Sequence, residues 1–122
     1  TERGLVADAI YRIEADALMA VAECLRNSAK RMQGRALTGP RNFEQIPALA
    51  ERGRERAAYF MPVLDDMIGS KEFLLGGNLT ASDIDAFVFV EFAKWIKVTI
   101  PDDCTNVQRW RDHMAERPSA GL

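Results

Sequence analysis

Residues 73–84 read FLLGGNLTASDI, a glycine turn leading into a helix start. Thr80 stands just ahead of a long apolar run and Asp83 follows three positions later, the spacing of a helix start. At that spacing the Thr80 hydroxyl can accept from the Asp83 backbone N–H, and the Asp83 carboxylate can accept from the Thr80 N–H. Asp takes the place usually held by Glu or Gln in such a capping box, so the reciprocal bond needs a tighter approach. Leu79 at N′ and Ile84 at N4 complete a hydrophobic staple, and Gly76-Gly77-Asn78 supplies the turn before it. A carboxylate at the head of an apolar helix also admits a catalytic reading. Capping has both a mechanism and a matching register, and it is the reading taken for Asp83.

Downstream of this start the chain is apolar nearly all round: Phe87, Val88, Phe89, Val90, Phe92, Ala93, Trp95 and Ile96. A helix from the Thr80 cap to about Val98 with so little polar surface must be surrounded by others, which makes it the core helix of a bundle. Ile100-Pro101 breaks it. Thr105 with Gln108 at N3 offers a second capping box, opening a short helix with Val107, Trp110 and Met114 on one face. Pro118 ends that helix.

Upstream, Leu5 to about Met32 reads as one long helix, with Val6, Ile10, Ile13, Ala17, Val21 and Leu25 at three- and four-residue spacing. Gly34 is placed to stop it in a left-handed cap. Residues 35–42 (RALTGPRN) are turn chemistry and an exposed connection. A second long helix begins near Pro47, carries Ala57, Phe60, Leu64, Met67 and Ile68 as its apolar stripe, and ends at Gly69-Ser70. Pro62 falls inside that pattern and should kink the helix or divide it near Met61. The expected architecture is therefore all-α, a helical bundle of four to six helices in one domain spanning residues 1–122, with a buried central helix starting at Thr80.

At 122 residues, 48% hydrophobic and with a formal net charge of −2, the chain is long enough for one core and too short for two. It has no basic stripe suited to nucleic acid. Asp85, Glu91, Lys94 and Lys97 interrupt the longest apolar run, so no segment reaches membrane-spanning length. No signal peptide opens the chain, and Thr1 is not an initiator Met, so it reads as a fragment. Cys24 and Cys104 form no Cys-x-x-Cys, which argues against a metal or disulfide framework and fits a cytoplasmic, reducing setting. Cys24 reads as a small core residue, Cys104 as a loop thiol with nothing beside it to depress its pKa, and His113, the lone histidine, as a surface residue.

The phrase FLLGGNLTASDI, followed by an apolar helix and then by WRDHMAERP, resembles the C-terminal helical domain of glutathione S-transferases. The resemblance is tight over residues 73–119 and rests on helix order before that. In that family the Ser/Thr-x-x-Asp box and its staple open the central buried helix. The resemblance implies that the chain lacks the family's thioredoxin-like N-terminal domain, which is then its expected partner. It also implies glutathione as co-substrate of the full-length protein, no cofactor in this chain, a homodimer, and a detoxifying conjugation of glutathione to an electrophilic carbon.

No βαβ pattern and no thiol-activating group is readable here, so the chain alone should be catalytically incomplete: catalytic residues none, metal none. It would supply the electrophile pocket and part of a dimer interface. By position in the family, the pocket candidates are Ile13, Asp16, Ala17 and Ala20 on the first helix and Phe92 and Trp95 on the third. On sequence alone, core packing is the plainer reading for Tyr11, Phe92 and Trp95. A different class of function, a non-catalytic interaction module such as those attached to synthetases and translation factors, uses the same fold. Neither reading involves nucleic acid or a membrane.

Overall fold

The computed structural model describes residues 1–121, and the backbone is all-α: five α-helices joined by short 3-10 turns, with no strand among the described residues. Helix α1 (Glu2–Ile13) continues through a π turn (Glu14–Leu18) into α2 (Met19–Ser28), making one long rod. Helix α3 (Pro47–Ile68) packs antiparallel to it, α4 (Ala81–Ala93) lies across both, and α5 (Thr105–Ala115) closes the far side.

The rod begins three residues before Leu5, because the Thr1 hydroxyl accepts from the Gly4 N–H at 3.0 Å and caps it. It also ends earlier than Met32, and Gly34 does not stop it. Ala29 turns extended, and side chains take the last carbonyls: Ser28 Oγ donates to Cys24 O (2.6 Å), and Gln45 Nε2 to Arg26 O (3.1 Å) and Ala29 O (2.7 Å). Polar side chains that bond locally supply the stop that Gly34 was expected to give. Gly34, at φ 71°, serves the following loop instead, where its carbonyl accepts from Phe43 N.

Helix α3 starts at Pro47 and is not divided at Pro62. Pro62 leaves the Ala58 carbonyl without its helical partner, but both residues are exposed, so water replaces the lost bond. The central helix is shorter than expected. After Ala93 it tightens into a 3-10 turn (Lys94–Ile96), and Lys97 then adopts a left-handed conformation (φ 64°), with Val98 N donating back to Ala93 O at 2.9 Å. The stop precedes Ile100-Pro101 and uses a lysine where glycine is usual.

The core is built from the inner faces of all five helices: Ile13, Val21, Phe60, Leu64, Phe89, Val107 and Trp110 are essentially inaccessible. Phe60 and Phe89 meet edge to face at 5.5 Å and join α3 to α4. The expectation that α4 is enclosed on every side is corrected here. Its inner face (Ser82, Asp83, Ala86, Phe89, Val90, Ala93) is buried, but Ile84 and Trp95 are 52% and 61% exposed and Phe92 is 38% exposed. Hydrophobicity all round a helix requires cover on all sides, and four neighbouring helices reach only one of them.

Candidate functional site

Asp83 is a fully buried carboxylate held in a bed of donors. Its Oδ2 accepts from the Thr80 N–H at 3.0 Å, which closes the carboxylate half of the box. The Thr80 hydroxyl is 2.6 Å from Ser82 Oγ and 3.4 Å from Asp83 Oδ2. The other oxygen, Oδ1, accepts from Leu74 N (2.9 Å) and from the Trp110 indole Nε1 (3.0 Å). One side chain thus fixes the start of α4, the 73–76 turn before it and the middle of α5. With both oxygens engaged internally and no surface exposed, Asp83 has no free lone pair to offer a substrate. Leu79 packs against the core, whereas Ile84 remains half exposed at the other end of the staple.

The six pocket candidates fall into three places. Ile13, Ala17 and Ala20 are wholly buried in the core and give the chain no surface. Asp16 lies on the opposite side of the rod, in a groove of about 540 Å³ between α1 and α3 that also takes in Arg12, Arg52, Glu55, Arg56 and Tyr59. Phe92 and Trp95 stack face to face (centroids 4.3 Å, 16° between planes) where the outer face of α4 runs into the 3-10 turn after it. They line a cleft of about 750 Å³ with Ile84, Phe87, Val88 and Met114, and Glu91, Lys94 and Arg117 add charged groups to its wall. Tyr11, 74% exposed, lines neither cavity. Core packing is therefore not what holds Tyr11, Phe92 or Trp95.

The π turn brings further polar groups together. Widening the helix by one residue frees a carbonyl, and Arg56 Nη2 from α3 donates to Ala15 O at 2.9 Å. Arg56 and Arg52 both reach Glu23, and the Arg52 fork, at 2.6 and 3.1 Å, holds the Glu23 carboxyl below its usual range. On α4, Asp85 has one carboxyl oxygen (Oδ2) buried without a hydrogen-bond partner. Burial first, and then the neighbouring Glu14 carboxyl, push the Asp85 pKa up.

That shift has a defined sign. An acid whose folded pKa is raised destabilises the fold at pH values above the folded pKa, and the cost disappears below the unfolded value of about 3.9. Asp85→Asn is therefore expected to raise the urea midpoint at pH 7, where its amide can donate to Glu14. The gain should begin to shrink as the pH falls through the Asp85 folded pKa and be gone below about 3.9. A variant no more stable than the parent at pH 7 would mean that the charged Asp85 carboxylate costs the fold nothing beside Glu14.

Other groups act structurally. The second capping box does not form: Thr105 is the first residue of α5, Cys104 precedes it, and no side chain of this segment caps the helix. Asp65 of α3 does so instead, accepting from Val107 N at 2.9 Å and from Asn106 Nδ2 at 3.3 Å. Cys104 is buried, and burial followed by Asp65, Asp103 and Asp66 pushes its thiol up, away from thiolate reactivity. Cys24 is buried at the α2–α3 contact. His113 is exposed, 3.1 Å from Glu72 and tilted over Phe73. Among the described residues no cluster of three or more His, Cys, Asp or Glu could hold a metal ion.

Comparison with known proteins places this geometry. A solved glutathione S-transferase domain-containing protein of Marinobacter aquaeolei superposes with a TM-score of 0.82 at 28% identity, covering 98% of this chain and 56% of that one. Gtt2 of Saccharomyces cerevisiae superposes at 0.84 with 21% identity (98% and 55% covered). A Gtt2-class glutathione S-transferase of Vibrio parahaemolyticus does so at 0.77 with 22% identity (98% and 52%). In sequence, glutathione S-transferase 2 of Saccharomyces cerevisiae is 26% identical over 68 residues, 56% of this chain and 29% of that protein. The chain thus spans about half the length of the solved relatives it matches. The profile of the glutathione S-transferase C-terminal domain matches residues 41–120, and the chain belongs to that family.

Proposed function

We propose that this chain is the helical half of a glutathione-conjugating transferase, in which the outer face of α4 forms one wall of the site for an apolar electrophile. The observation that carries the reading is the stacked Phe92–Trp95 pair at the edge of an open apolar cleft. A flat aromatic wall suits an aromatic or extended apolar acceptor, and the two rings stay exposed although they are large and apolar. The opposing wall, glutathione and the group that activates its thiol belong in this reading to a thioredoxin-like N-terminal domain seated over the same face. The chain by itself would bind no glutathione and conjugate nothing.

The test uses the parent protein carrying both halves. Trp95→Ala is expected to raise KM for a chloronitrobenzene-type electrophile by roughly tenfold, the loss of one aromatic contact, while the KM for glutathione changes less than about twofold. An unchanged electrophile KM, or an equal rise in both, would sink this assignment. No conjugation at all by a folded parent that retains an early Tyr, Ser or Cys would favour the non-catalytic interaction module.

The groove between α1 and α3, with Asp16 and the exposed Tyr59, is proposed as the dimer face. Its mixture of Arg12, Arg52 and Arg56 with Asp16 and Glu55 is self-complementary, as a two-fold contact requires. Sedimentation velocity over a concentration series is expected to show a monomer–dimer equilibrium that Tyr59→Glu shifts to monomer. A single monomeric species at millimolar concentration would discard the dimer.

A further inference from the structure

Between Glu23 and Glu44 the chain carries five cations, Arg26, Lys30, Arg31, Arg35 and Arg41, and no acid, although the whole chain is net negative. None of the five forms an ion pair among the described residues, whereas Arg52, Arg54, Arg56 and Arg111 are all neutralised by nearby carboxylates. Three of the five line a concave pocket of about 270 Å³ with Thr38, Asn42 and Gly39, and no acidic residue lines it.

The loop around this pocket is built rather than loose. Arg26 Nε donates to Ala36 O at 2.8 Å, and Ala36 N to Phe43 O at 3.0 Å. The Arg41 guanidinium lies 5.6 Å over the Phe43 ring. Gly39 adopts φ 132°, a conformation that strains any residue with a Cβ, and nothing stands within 4 Å of the space a side chain would fill. Arg26 and Arg41 are thus restrained before any ligand arrives, and Arg35 is free to close on it.

We propose that this pocket binds a phosphate-bearing small anion, gripped by Arg26, Arg35 and Arg41 with Thr38 and Asn42 as neutral donors. A phosphate group carries more charge than a carboxylate and offers its oxygens in more directions, so it suits several guanidinium forks converging from different sides. The site lies in the connection between α2 and α3, and the cleft on α4 shares no lining residue with it.

Calorimetry of the chain with inorganic pyrophosphate at low ionic strength is expected to show binding that weakens steeply as salt is added. The Arg35→Gln/Arg41→Gln double variant should weaken it by roughly tenfold or more, because two charge-assisted contacts are lost. Arg3→Gln/Lys71→Gln, an equal charge change at exposed positions outside this pocket, should leave it within about twofold. Arg41→Lys keeps the charge but not the fork, so it should weaken binding without altering the fold. Sedimentation with phosphatidylcholine vesicles, with and without a phosphoinositide, separates a soluble phosphate compound from a lipid headgroup. Headgroup-dependent binding that the Arg35/Arg41 variant abolishes assigns the site to the lipid. Absence of both kinds of binding, equal weakening by the two double variants, or equal affinity for citrate would each overturn the proposal.

Discussion

Replacing Asp83 by alanine is expected to lower the stability of the domain by about 4 kcal/mol, because buried donors left unsatisfied cost about 1–3 kcal/mol each and a cap alone about 0.5–2. The three donors are Thr80 N, Leu74 N and Trp110 Nε1, all within 3.0 Å of the carboxylate. Their geometry also predicts a graded series. In Asp83→Asn the remaining carbonyl oxygen can keep Leu74 N and Trp110 Nε1, but its amide then faces the Thr80 N–H, donor against donor. That variant should lose about half as much, roughly 2 kcal/mol. Thr80→Ala, whose hydroxyl is engaged with Ser82, should cost no more than an ordinary cap, about 1 kcal/mol. Urea denaturation of the three variants measures the order directly. If Asp83→Ala costs no more than Thr80→Ala, Asp83 is a cap and nothing else.

The Asp83 hub marks the limit of what the sequence discloses. The bond to Thr80 spans three residues and follows from register. The bond to Trp110 spans 27, and no local pattern announces that a particular indole will arrive there. The same division runs through the helix ends. Pro47 opens α3 by local chemistry, whereas α2 is stopped by Gln45 from beyond the loop and α5 is capped by Asp65 from another helix.

The candidate site divides in a similar way. Ile13, Ala17 and Ala20 form a legible apolar stripe, and such a stripe on a packed helix faces the core, so residues placed in a pocket by analogy lie inside the bundle. Phe92 and Trp95 belong to a helix that is apolar on every face. Periodicity then carries no information about which side the chain itself covers, and only the packing of α1, α2, α3 and α5 decides it. The pocket between α2 and α3 is missed in the sequence, because residues 35–42 read only as turn chemistry, although the stretch from Arg26 to Arg41 holds cations and no acid. Its concavity depends on the Arg26–Ala36 and Phe43 contacts that fold the connection back.

Gly53→Ala should destabilise the domain by about 3 kcal/mol, at the upper end of the usual cost of overpacking. Intrinsic propensity argues the other way, since alanine is favoured over glycine inside a helix by about 1 kcal/mol. Space decides against it. A Cβ on Gly53 would lie 2.6 Å from Ala20 O, 2.7 Å from Cys24 N and 3.2 Å from Cys24 Cα. These are backbone atoms of α2, so no side-chain rotation relieves the contact, and the two longest rods of the bundle would have to separate. Separation there also pulls apart the Arg52–Glu23 and Arg56–Ala15 bridges that fasten α3 to the rod. Gly77→Ala is the matched control: nothing lies within 4 Å of its added Cβ and its φ is not in the left-handed region, so it should be neutral or stabilising by about 0.5 kcal/mol. Urea midpoints of the two variants, measured side by side, distinguish loss of space from loss of glycine. Equal midpoints would mean that α2 and α3 do not approach closely enough for Gly53 to matter.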